Sequence, residues 1–104
     1  MEKGKLVLEG FVYEYCHADD CHAVLLPRKI SVEEVRKVAE EKLSDLSEES
    51  RKREIEEYII PDFKHLILNW RVFWDGFDKE AIVLCNVLEK LKGKRIKIII
   101  EVIE

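Results

Sequence analysis

The run Cys16-His17-Ala18-Asp19-Asp20-Cys21-His22 is the densest set of reactive side chains in the chain. Two thiols, two imidazoles and two carboxylates fall within seven residues. Thiolate sulfur and imidazole nitrogen are the usual ligands of zinc, which takes four of them in a closed structural site. Cys16, His17, Cys21 and His22 are therefore the candidate metal ligands, with zinc as the alternative to no cofactor at all. The spacing limits that reading. Cys-x4-Cys is wide for a structural zinc pair, and no second Cys/His pair follows downstream. Neighbouring residues of a strand point to opposite faces, so Cys16 and His17 reach one ion only if the strand ladder breaks between them.

Two other readings stay open. A Cys16–Cys21 disulfide would staple a hairpin if the two Cα atoms lie within about 7 Å. In the default reading both cysteines are small buried side chains, and the histidines with Asp19 and Asp20 dress a turn. Thiol catalysis would need a base within about 3 Å of the sulfur and a third group to orient that base. Cys16, His22 and Asp19 or Asp20 are the residues that would supply them. No phosphate-cradling glycine loop, HExxH or GxSxG accompanies them, and the chain has only four glycines. We assign no catalytic residue and keep a thiol-dependent enzyme only as an alternative. His65 and Cys85 are the remaining ligand types, both in apolar settings. Cys85 reads as core.

These residues must be positioned by a small set of elements. Residues 5–17 are β-branched and aromatic on both faces, which predicts a central or doubly covered strand. Gly10 within it marks a bulge or a close backbone approach. Residues 22–28 read as a second strand that Pro27 ends. The link between the two lacks the Gly or Asn of a tight hairpin, so a three- or four-residue loop is expected.

Ser31 and Glu34 fit a capping box, and Val35, Val38, Ala39, Leu43 and Leu46 recur at helical spacing behind them. Asp45 or Ser47 caps a second, mostly surface helix that runs to about Ile60 and stops at Pro61. Residues 63–74 fit both periods, and their aromatic and β-branched content favours strand. Residues 78–92 read as a helix capped by Asp78 and stopped by Gly93. Residues 94–103 alternate as a last strand, with Ile96, Ile98, Ile100 and Val102 facing inward. The expected fold is one α+β domain over residues 1–104. It has two layers: a mixed or antiparallel sheet of three to four strands, with two to three helices on one face. The order is β-β-α-α-β-α-β.

Composition narrows the function. The chain has 104 residues and a net charge of −4, the wrong sign for a generic grip on nucleic acid or anionic lipid. The triplet Arg51-Lys52-Arg53 is flanked by Glu48, Glu49, Glu54, Glu56 and Glu57, which cancel much of its field. No apolar run approaches the roughly 20 residues of a membrane span, and residues 1–5 contain no signal-type apolar segment. A cytoplasmic protein is expected. The chain has no Gln or Thr and is rich in Lys and Glu, the pattern of thermophile proteins. An internal disulfide stays open on that ground.

Tyr13, Tyr15, Trp70, Phe73 and Trp74 read as core. Any of them left exposed would suit a protein surface better than RNA, because no cationic groove accompanies them. The function expected is a non-catalytic interaction module that binds a protein partner or itself as a homodimer. The apolar terminal strands would be the pairing surfaces.

Overall fold

A computed structural model describes residues 4–104. Strands β1 (Phe11–His17) and β2 (Asp20–Leu26) form an antiparallel hairpin, in register from Phe11↔Leu26 to His17↔Asp20. The turn is two residues, Ala18-Asp19, shorter than the three or four expected. Ala18 takes φ +56°, the positive value that the first central position of a type II′ turn requires. A non-glycine residue there is uncommon. Gly10 marks a close approach, as expected: a Cβ on it would lie 2.8 Å from the Leu26 carbonyl oxygen.

Two short strands complete the sheet. Strand β3 (Ile67–Asn69) runs parallel to β1, and β4 (Ile82–Val83) runs antiparallel to β2, giving the order β3-β1-β2-β4. Burial alternates along the strands with period two. Tyr13, Val24, Leu26 and Leu68 are buried on one face, while Val12, Glu14 and Ala23 are exposed on the other. The fold is the two-layer α+β arrangement expected, a mixed four-stranded sheet with helices on one face. β1 is central, but only one of its faces is covered.

Helix α1 (Val32–Lys42) starts as the sequence says: the Ser31 hydroxyl accepts the Glu34 backbone N–H at 3.1 Å. The Glu34 carboxylate takes the Arg28 guanidinium at 2.7 Å. Hydrogen bonds donated by Arg28 to Glu34 and then to Glu80 raise the Arg28 pKa above its ordinary value. Val35, Ala39 and Leu43 are buried along the expected stripe.

Helix α2 (Glu48–Glu54) is capped by Ser47, whose hydroxyl accepts the Ser50 N–H, and buries nothing. The helical path does not stop at Pro61. It widens into a π-helical turn at Ile55–Ile59 and continues as α3 (Ile60–Phe63). Proline lacks an N–H and its ring clashes with the carbonyl four residues earlier; the wider π turn before it makes room for the ring. The same turn brings Ile55, Ile59 and Ile60 to one side, and all three are buried with Phe63. The second helix is mostly surface, as expected, with Ile55 and Ile59 of its apolar side buried and Tyr58 exposed; what differs is its end, since the helical path runs past Pro61 to Phe63.

Residues 63–74 divide between the two periods that they fit. Phe63 closes α3, Ile67–Asn69 pair in the sheet, and Trp70–Phe73 form α4. The Asn69 side chain accepts the Arg71 N–H at 2.9 Å and so starts the helical turn. The helix expected at 78–92 is much shorter. Asp78 accepts the Asp75 N–H at 2.9 Å and closes a turn instead of capping a helix. β-branched Ile82 and Val83 join β2, and helix α5 is limited to Leu84–Glu89, with no buried residue.

The last strand is absent. Residues 94–104 form neither helix nor strand and are exposed, Ile99 at 77% and Ile100 at 85%. Alternating isoleucines form a strand only with a partner strand to pair with, and the sheet ends at β4 on this side. The Cα radius of gyration is 16.3 Å, against about 13 Å for a compact chain of this length. Residues 4–10 are, like residues 94–104, irregular and largely exposed. No helix of the described residues is long and apolar enough to cross a membrane.

The core joins sheet to helices at Tyr13. Its ring stacks on Phe63 with centroids 6.1 Å apart, and its buried hydroxyl accepts the Ile30 N–H at 2.9 Å. Tyr13→Phe leaves that amide buried without a partner, so urea unfolding should show a loss of about 1–3 kcal/mol.

Candidate functional site

The hairpin end carries the candidate residues, and its register decides which of them meet. Cys16 and Cys21 are directly opposed, with Cα atoms 4.1 Å apart, and they are joined in a disulfide. Opposed residues that exchange no backbone hydrogen bonds approach to about 4.5 Å in an antiparallel pair, which is within reach of a bridge. The bridge replaces the default expectation of two small buried side chains: Cys16 is half-buried and Cys21 exposed.

His17 and His22 leave the strands on the other side. The His17 ring lies 4.7 Å from Trp70, and the His22 ring 5.3 Å from Tyr15. The four candidate ligands are thus divided two and two by the strand alternation. What the open face collects around the sulfurs is Glu14, two residues before Cys16. The Glu14 carboxylate and both sulfurs lie within 4.8 Å of one another. Period two could have found Glu14, since residues i and i+2 share a strand face.

The covered face collects aromatics. Tyr15 stacks on Phe73 at 4.3 Å and meets the edge of Trp74 at 5.8 Å. Tyr13 and Phe73 are buried as expected, whereas Trp70 and Trp74 are 38% and 47% exposed. Arg71, 5.9 Å from the Trp70 ring, also pairs with Glu54 at 3.1 Å, so its charge is already engaged.

Cys85 is exposed, contrary to the core position expected of it, because the short α5 buries none of its residues. Its sulfur is 3.7 Å from His22 Nδ1. No sequence spacing foretold this pair, which the β2–β4 contact creates. A working thiolate needs a base that is itself oriented. The other neighbour of His22 is the Tyr15 ring, which packs against the imidazole but gives it no hydrogen bond of that kind. His65 is exposed in the turn after α3.

Comparison with protein-family models, with curated proteins and with solved structures finds no match.

The bridge has a direct chemical signature. Without reductant, alkylation of the native chain should label Cys85 alone. After reduction all three cysteines should react, and the closed loop is short enough that stability should fall by no more than about 2 kcal/mol. Mass spectrometry and urea unfolding read the two outcomes.

Proposed function

We propose that this protein is a non-catalytic interaction module that uses its uncovered apolar surface to bind protein. One observation carries the reading: the apolar side chains between Ile96 and Ile103 are exposed, Ile100 and Val102 at 85% each. Scattered apolar residues are ordinary on a protein surface, but a contiguous apolar stretch of this kind is the usual mark of an interaction site. The half-exposed Trp70 and Trp74 add a second apolar surface at the hairpin end, of the residue types that interfaces favour. The chain's net charge of −4 is the wrong sign for a generic grip on nucleic acid, although Lys90, Lys92, Lys94, Arg95 and Lys97 make the approach to the isoleucines locally basic.

Sedimentation of the native chain from micromolar to millimolar concentration, with an apolar-surface dye, tests this reading. Self-association or strong dye binding is expected, and both should be lost in the double substitution Ile98→Lys, Ile100→Lys. A monomer that binds no dye would overturn it.

A second reading rests on the Glu14, Cys16 and Cys21 cluster. With the disulfide reduced, two thiolates and a carboxylate would converge from one face, and solvent would complete a zinc shell. This differs from the four-residue set expected from sequence in using Glu14 and neither histidine. Native mass spectrometry in reducing buffer with added zinc should find one zinc per chain, lost on Cys16→Ser with Cys21→Ser and weakened on Glu14→Gln. Zinc binding unchanged by those substitutions would count against it.

A further inference from the structure

We propose that residues 94–104 pair with the same residues of a second copy of this chain, as an antiparallel two-stranded ribbon centred on Ile99. The proposal rests on the interaction reading above and names its partner. Its ground is the self-complementarity of an exposed segment, Lys94-Arg95-Ile96-Lys97-Ile98-Ile99-Ile100-Glu101-Val102-Ile103-Glu104. Basic residues occupy its first half and acidic residues its second.

An antiparallel pair centred on Ile99 sets Lys97 opposite Glu101 and Lys94 opposite Glu104, each twice by symmetry. The same register sets Ile98 opposite Ile100 and Ile96 opposite Val102. Opposed residues share a face. One face of the ribbon is then a continuous row of Ile96, Ile98, Ile100 and Val102 from both copies, closed at each end by a Lys94–Glu104 pair. The other face carries the Lys97–Glu101 pairs around Ile99.

Other registers lose this match. A parallel in-register pair sets Lys97 against Lys97 and Glu101 against Glu101, which is repulsive. A slip of one residue in one strand sets Lys97 opposite Ile100 or Val102 and mixes the faces. A slip of two centred on Ile98 opposes Arg95 and Glu101 but sets Lys94 opposite Val102 and Lys97 opposite Ile99; a slip of two the other way sets Ile99 opposite Glu101. Centring on Ile99 alone opposes both charge pairs and keeps the row apolar. This is an isologous contact of the kind two-fold dimers use. A two-stranded ribbon is marginal alone, so the apolar row needs a layer beneath it. The open sheet face around Val12, Ala23 and Leu25 is an uncovered surface of suitable character.

The test combines charge reversal with crosslinking in the full chain. Sedimentation should show a dimer whose dissociation constant rises roughly tenfold in Lys97→Glu and in Glu101→Lys. Mixing those two single variants should restore the native affinity, as should combining the substitutions in one chain. In a Cys85→Ser background, Ile99→Cys should crosslink to a dimer under oxidised glutathione. Ile96→Cys and Ile103→Cys, which face Val102 and Arg95, should not.

A dimer indifferent to the charge reversals, or one that crosslinks at residue 96 or 103 and not at 99, would overturn the ribbon and leave the interaction reading standing. A monomer that binds apolar dye would do the same. A monomer that binds no dye would overturn both.

Discussion

Tyr13 is the residue on which the two layers depend. It belongs to the central strand and points to the covered face. Its hydroxyl holds the backbone just before α1, and its ring lies against Phe63 at the end of α3. A buried amide without a partner is costly, so the hydrogen bond fixes where the chain leaves β2 and enters α1. Once α1 is placed, its Val35, Ala39 and Leu43 set the floor on which the π turn and α3 pack. The helical layer is thereby locked to one side of the sheet, and the other side is left open.

That asymmetry governs the chemistry available. In a sheet covered on one face only, strand alternation sorts each segment into an inside and an outside. It divides the Cys16–His22 run between the faces, giving the sulfurs to solvent and the imidazoles to the aromatic cluster. A two-residue turn enforces the division because it opposes Cys16 and Cys21 directly. The result is a stapled hairpin with Glu14 beside the sulfurs, where a three-residue loop would have offset the two cysteines.

The asymmetry also leaves apolar surface without a layer. β4 supplies the edge neighbour of β2 with only two residues, and the isoleucines that follow α5 pair with no strand among the described residues. The interaction reading follows from that imbalance between an apolar sequence and the surface its own fold can cover. The charge order along residues 94–104 is the ground on which we propose another copy as the partner.

Local signals read directly from the sequence held wherever their partners lay nearby. Ser31 and Ser47 cap helices because a hydroxyl needs only an amide three residues on. The α1 stripe, the hairpin, the close approach at Gly10 and the two-layer class followed from period and composition. Tertiary competition decided the rest. Asp78 reads as a helix cap until the Asp75 amide claims it, and Pro61 reads as a stop until a π turn makes room for it. Residues 63–74 satisfy both periods, and only the neighbouring β1 edge decides how much of them becomes strand. The alternation of 94–103 makes those residues fit to pair, but pairing also requires a partner strand, and that is decided by the assembled sheet. Which sulfurs, rings and carboxylates meet is set by the turn length and strand register, and both are properties of the assembled sheet.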